Sequence, residues 1–354
     1  MPSQYLYTEI CAGVPPSTTA QLTTTGAYPP LTYSWMSTAQ NGVDSGCRGG
    51  VLSVSNILDI SINQSGSGVY SSNDQKETSW SMFSVTDTMK YASQLLCVFG
   101  ATNSSAYGSL PFLSPLVNPV TPFRLYNAAT TAYTCTSDAS AYFFSLSVGV
   151  PTGRTATVQL VISGFGYTFE MTRQNTRTAG TTTLARTVLV PCTSDARMVL
   201  TGGEVVPESN LISFTAFPVE LKRGPSVSWA GYRTMDVTNT GPIAYDLWLV
   251  QERINVQTGN SIVQIPVSGY YYVYVSAGVG QGMRLVLSVL LNNNNPLFGV
   301  TRTATDHNGV DTIGHGMVVL LSANDQLRVF AATETLSSGT GLHTSFIGIL
   351  LYQA

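Results

Sequence analysis

Short runs of β-branched, aromatic and aliphatic residues recur along this chain, each bounded by Gly, Pro, Asn or Asp. The stretch from Ile212 to Tyr352 shows the pattern best. Pro266-Val267-Ser268-Gly269-Tyr270-Tyr271-Tyr272-Val273-Tyr274 opens it. Residues 285–291 follow and end at the turn Asn292 to Asn295. Residues 317–330 come next, broken at Asn324-Asp325, and residues 345–352 close the series. Runs of this kind predict the strands of an all-β domain. Alternation along residues 270–275 puts aromatic side chains on both faces of one strand. One face fills a sandwich core, and the other needs a neighbour to cover it.

The same order recurs upstream. Residues 142–150 (Tyr-Phe-Phe-Ser-Leu-Ser-Val-Gly-Val) lie in the middle third where residues 271–279 lie in the last. Residues 157–162 answer 285–290. Residues 188–200 answer 318–330, which sets Asp195 on Asp325. Residues 213–217 answer 345–349. A fainter copy occupies the first third: residues 94–102 read like 326–333 with one residue added, residues 51–62 supply a middle strand, and 110–117 a closing one. Pro-containing joints at residues 118–122 and 223–226 separate the copies, since Pro fixes φ and removes a donor. The predicted division is 1–118, a divergent β-sandwich, then 119–222 and 223–354, each of ordinary domain size.

This strand order resembles the globular head of complement C1q and the tumour necrosis factor superfamily. The resemblance implies an all-β protein of three tandem jelly-roll β-sandwiches, built for trimeric assembly and recognition and without a catalytic centre. In that family an adjacent subunit around a three-fold axis covers the aromatic face. The chain departs from the family with Asn324-Asp325 where Gly-Asp is usual and with Val273 where Phe is usual, while the middle copy keeps Tyr142-x-Phe144. The residues expected to carry core and assembly are Tyr142, Phe144, Phe214, Gly269, Tyr271, Asp325, Phe346 and Leu350. Gly269 allows a tight approach or an unusual φ, and Asn324-Asp325 makes a compact turn through its own side chains. Three copies either close around an internal pseudo-three-fold or stack as beads that trimerise across chains. Closed symmetric assembly favours the homotrimer.

Composition narrows the function. Only 10% of the 354 residues are charged and the net charge is −3. Thr, Ser, Gly, Asn and Tyr supply the polarity, which suits β-surfaces packed on one another. No basic arm is present, so direct nucleic-acid binding is not expected; Lys222-Arg223 reads as a solvated connection. No apolar run approaches the ~20 residues of a membrane span, so no membrane insertion is expected. Residues 1–9 lack a basic and an apolar signal region. That predicts synthesis in the cytosol, or else a secreted protein without its leader. The five cysteines (Cys11, Cys47, Cys97, Cys135, Cys192) read as buried thiols, with one disulfide, Cys135–Cys192 or Cys11–Cys47, as the alternative in an oxidising setting.

The search for chemistry returns little. His307, His315 and His343 all fall in the last third and read as loop histidines. No catalytic residue, cofactor or metal site is expected. The Gly-rich residues 278–282 precede no helix, so they are not a phosphate loop. Asn63-Gln64-Ser65 and Asn103-Ser104-Ser105 are glycosylation sequons that matter only if the chain is secreted. The expected role is a non-enzymatic structural block of a virion surface, such as a capsid, spike, fibre or decoration protein, made in the host cytoplasm. Its partners would be copies of itself and neighbouring structural proteins, with a surface glycan or receptor as a further ligand. The alternative is a secreted, extracellular lectin-like protein that binds glycans.

Overall fold

Two burial patterns sort the strands. Along Thr155–Ile162 every second residue is buried, as in a strand with one wet face. Along Tyr142–Val150 and Ser213–Pro218 every residue is buried, so both faces are covered. Strands of the first kind belong to outer sheets, and strands of the second form the central part of inner sheets that meet one another.

The structure is a computed structural model. It describes residues 4–15, 18–27, 30–36, 44–54, 60–66, 78–100, 108–110, 114–117, 126–127, 130–135, 139–175, 181–206, 211–238, 240–257, 259, 261–292, 295–303, 310–332, 336 and 341–354. A first unit holds β1 (Gln4–Val14), β2 (Thr19–Thr25), β3 (Thr32–Met36), β4 (Asp44–Val54), β5 (Ser61–Gly66) and β6 (Ser79–Ser84). A short helix α1 (Val85–Thr88) and a 3-10 turn (Ala92–Gln94) follow. The second unit holds β7 (Leu96–Phe99), β8 (Gly108–Ser109), β9 (Ser114–Val117), β10 (Tyr126–Asn127), β11 (Ala132–Thr134), β12 (Tyr142–Val150), β13 (Thr155–Ile162), β14 (Thr168–Gln174), β15 (Thr182–Val190), β16 (Asp195–Gly203) and β17 (Ser213–Pro218). The third holds β18 (Ser228–Tyr232), β19 (Gly241–Pro242), β20 (Leu247–Glu252), β21 (Asn255–Gln257), β22 (Ile262–Gln264), β23 (Gly269–Gly280), β24 (Arg284–Leu291), β25 (Asn295–Thr303), β26 (Val310–Leu321), β27 (Gln326–Ala331) and β28 (Ser345–Gln353).

The second and third units share one topology. Their inner sheets run β9-β7-β17-β12-β15 and β20-β18-β28-β23-β26, and their outer sheets β10-β11-β16-β13-β14 and β21-β22-β27-β24-β25. Two facing antiparallel sheets with strands alternating between them make a jelly roll. The first unit shows only the later part of the pattern: inner sheet β6-β1-β4 and outer sheet β5-β2-β3. Its β1 corresponds to β12 and β23.

The repeats also share their turns. Thr18, Arg154 and Met283 each donate a backbone N–H to the residue three before, Pro15, Pro151 and Gly280. In two of these turns the third place is glycine at positive φ, Gly153 (φ 68) and Gly282 (φ 67), where a side chain is disfavoured. In the β26–β27 turn Asn324 holds φ 72, and the Asp325 carboxylate accepts the Ser322 amide at 2.7 Å.

Strand pairing corrects several sequence expectations. Residues 96–99 are not a late strand of the first copy. They pair with β17, as β18 pairs with β28, and so open the second unit. Residues 114–117 pair with β7 in the same sheet, so the first junction lies before Leu96 and not at residue 118. Residues 51–54 end β4, which pairs with β1, and β5 begins at Ser61. A short run of Leu, Cys, Val and Phe fits any strand, and only its partner tells which. The matched positions also shift by one: Arg197 and Arg328 hold equivalent registers against the preceding strand, so Ser194 and not Asp195 answers Asp325. The joint at residues 118–122 lies outside the described residues.

Candidate functional site at the axis between units

Register sets the correspondence residue by residue. Opposite β15 and β26, Phe143 faces Leu189 and Tyr272 faces Val318; opposite β4, Tyr7 faces Val51. Tyr7, Phe143 and Tyr272 are therefore one position in three units, and their rings meet. Centroids lie 4.9 Å (Tyr7–Phe143), 5.7 Å (Tyr7–Tyr272) and 5.7 Å (Phe143–Tyr272) apart, all edge-on or nearly so. Aromatic pairs favour that geometry. Phe83 and Phe217 pack around the triad. The three units thus close around an internal pseudo-three-fold axis, and the contact assigned to three subunits is made by one chain. The stacked arrangement expected from the sequence is not the one adopted.

A polar belt repeats the same symmetry. The Ser34 amide donates to Thr183 Oγ1 at 3.1 Å, Thr172 to Thr312 Oγ1 at 3.1 Å, and Thr301 to Ser45 Oγ at 2.7 Å. The three bonds run first unit to second, second to third, and third to first. Beside them Arg302, buried, pairs with Asp311 of its own unit at 2.7 Å and Asp44 of the first unit at 3.2 Å. Burial alone would lower the Arg302 pKa, but the two carboxylates outweigh it and hold it raised. Arg173 spans another junction, donating to the carbonyls of Thr183 at 3.2 Å and Thr312 at 3.0 Å.

A second triplet lies one step along the inner sheets. Arg48, Arg186 and His315 occupy equivalent places, and each donates to an equivalent backbone carbonyl: Thr32, Glu170 and Gly299. His315 Nδ1 faces the Gly299 carbonyl at 2.7 Å, so that nitrogen carries the proton and Nε2 accepts from Ser79 Oγ at 2.8 Å. Burial pulls His315 down to about 4 and Arg48 down to about 9, which leaves His315 neutral and Arg48 charged at pH 7. His343 is also buried, bonded to Thr312 Oγ1 at 3.1 Å, and pulled down to about 3 by burial and Arg186. His315 is not the loop histidine expected from the sequence, because its flanking glycines in an inner strand look like a loop; His343 does lie in the loop before β28, but it is buried rather than solvated. His307 lies outside the described residues.

Glu9 lies next to the aromatic triad. Burial pushes its carboxyl up to about 7, and its partners are the Tyr272 hydroxyl and the Gly316 amide. Cys11, two residues on, is joined to Cys47 directly across β4, and Cys135 to Cys192 in the second unit. Two disulfides therefore replace the expected thiols, and Cys97 stays a free, buried thiol. Cys11, Cys47 and His315 bring ligand atoms within 4.8 Å of one another. The sulfurs are consumed by the disulfide, and a metal needs thiolates.

A surface cleft of about 580 Å³ lies between α1, the connection from the second unit to the third, and β28. Asp87 comes from α1, Lys222, Arg223 and Gly224 from the second connection, and Leu351 to Gln353 from β28. Lys222 Nζ donates to the Thr86 carbonyl, which ties that connection to the first unit. The cleft lining carries two cations, one carboxylate, one phenol and no histidine or cysteine. No helix among the described residues is long and apolar enough to cross a membrane.

The residues singled out in the sequence, Asp325 excepted, lie inside the sandwiches. Tyr142 and Phe144 stack at 6.3 Å, and Phe144 stacks on Phe214 at 6.0 Å. Phe346 packs on Trp229 at 5.7 Å, Tyr271 bonds the Val267 carbonyl at 2.7 Å, and Leu350 is buried. Gly269 sits where a Cβ would meet the Tyr352 carbonyl oxygen at 2.3 Å, so close approach explains it. Asp325 is at the far turn. None of the eight lies on the axis. The axial residues Tyr7, Phe143 and Tyr272 are their neighbours on the opposite strand face. All three were missed, though a signal for Tyr7 was present: Tyr5-Leu6-Tyr7 through Ala12-Gly13-Val14 parallels Tyr270-Tyr271-Tyr272 through Ala277-Gly278-Val279.

No protein-family model and no curated protein matches the chain. Among solved structures, the globular domain of zebrafish complement 1qA protein is similar at 16% identity and a TM-score of 0.30, over 37% of this chain and all of that one. Murine APRIL at pH 5.0 is similar at 15% identity and a TM-score of 0.30, over 36% of this chain and 99% of that one.

Proposed function

We propose that this chain is a non-enzymatic structural block, a ready-made three-fold jelly-roll particle in one polypeptide, used on a virion surface as a capsid, spike, fibre or decoration protein. The ring of Tyr7, Phe143 and Tyr272 carries the reading, because it closes the axis inside one chain. Whole chains would then meet each other and neighbouring structural proteins through their outer sheets. Both described histidines are sealed in the core, which supports a role without catalysis. Disulfides suit virion and cell surfaces as well as secreted proteins. Immunogold microscopy tests the assignment. Label on particle surfaces is expected; label confined to a soluble extracellular fraction would contradict it.

The cleft favours a second reading, recognition of an acidic glycan. Lys222 and Arg223 would face the carboxylate, and Tyr352 offers a ring for stacking on a sugar. Glycan-array binding lost in Arg223→Glu would support it, and an array with no binding would rule against it.

A further inference from the structure

The first unit is an incomplete sandwich among the described residues. In the second and third units β17 and β28 are each flanked by a further strand, β7 and β18. No described strand pairs with the corresponding edge of β6, nor with that of β5 in the facing sheet. The consequence shows at one position. Trp80 holds the register of Phe214 and Phe346, opposite Ile10, Leu146 and Val275. The two phenylalanines are 0% and 1% exposed, whereas Trp80 is 41% exposed. Met82, on the same face, is only half buried, while Ser81 and Phe83 on the axial face are buried. Across the sandwich, exposed Gln64 stands where Leu200 and Ala331 are core residues. Among the described residues, the axial side of β6 is covered and its sandwich side is open.

We propose that the open edge of β6 is an acceptor for one β-strand supplied by a separate polypeptide, which lies antiparallel to β6 and covers Trp80 and Met82. The other units define its chemistry. Their flanking strands place large apolar side chains, Leu96 and Val98 or Trp229, at alternate positions over the core. The occupant is therefore an extended segment with an aromatic or aliphatic residue at every second place. Backbone bonds to the edge give affinity, and packing on the exposed Trp80 ring gives register. A second copy is a poor donor, because β7 and β18 are already paired within their own units. This inference is independent of the virion reading.

The test uses the full chain and a synthetic peptide of its own residues 225–234, which include β18. Hydrogen exchange is followed with peptide up to about 1 mM, the weak end of specific binding. Amides of residues 79–84 should slow about tenfold as the strand adds. Trp80→Lys should abolish the protection, and so should a peptide carrying Trp229→Asp, which leaves the protein untouched. No protection at 1 mM, or protection that survives the altered peptide, overturns the proposal. So does a concentration-dependent dimer of the chain alone that Trp80→Lys dissolves, since that assigns the edge to a second copy.

Discussion

The Tyr272 hydroxyl donates to the Glu9 carboxyl, joining the third unit to the first beside the aromatic axis. Tyr7 makes the matching contact from the first unit to the second, reaching Ser145 Oγ at 3.4 Å. Phe143 has no hydroxyl with which to complete the ring. The axis is therefore symmetric in shape and asymmetric in chemistry, with the buried Glu9 carboxyl contributed by the first unit.

That acid makes stability depend on pH. Glu9 is raised from 4.5 to about 7 by burial, so the folded state favours its protonated form. Its contribution is full below pH 4.5 and is lost as pH rises through 7, a change of about 3 kcal/mol. The buried histidines act in the opposite sense. His315 and His343 are depressed to about 4 and 3, so their contribution is present above pH 6.5 and lost on acidification. Glu9→Gln isolates the first effect. Urea midpoints from pH 4 to 8.5 should show the wild type losing ground against this variant as pH rises. Parallel curves would contradict the assignment.

Phe143→Ala should be among the most damaging single changes. Phe143 packs edge-on to Tyr7 and Tyr272 and stacks on Phe217 at 4.6 Å. Removing a buried ring costs about 3–5 kcal/mol. Denaturant unfolding measures it; a loss below about 1 kcal/mol would mean the axis contributes little.

Arg302→Met should destabilise by about 3–5 kcal/mol, because it strands Asp44 and Asp311 in the interior. Exchanging all three for apolar residues should recover much of that loss. If the single change is neutral, the pair is not buried as described.

Removing the Cys135–Cys192 disulfide by double serine substitution should cost about 4 kcal/mol, from a loop of 57 residues in the chain-entropy account. Thermal melts of the oxidised chain and the variant give the difference. An unchanged melting temperature would mean the bond does not form in solution.

The sequence made some of this legible. The strands around Tyr142, Tyr271 and Phe346 declared themselves by β-branched and aromatic runs between turn residues. The β26–β27 turn was readable from Asn324-Asp325, because Asn accepts positive φ and Asp caps its own loop. The first unit was misread: the Tyr-x-Tyr and Ala-Gly-Val marks of β1 resemble its counterpart, but residues 94–102 offered a more obvious match. The axis itself was out of reach. Tyr7, Phe143 and Tyr272 are separated by more than a hundred residues each, and both faces of an inner strand are equally apolar. Burial of His315 was hidden because the Arg48–Arg186–His315 correspondence exists only once register is known.

Closure of three units around an axis within one chain is measured most directly by small-angle X-ray scattering, with mass from light scattering on the same sample. The closed arrangement predicts a particle of 37.8 kDa with a radius of gyration of about 20 Å, the value for a compact chain of this length. A radius of about 30 Å or more at that mass, as for three unit-sized beads end to end, would contradict it.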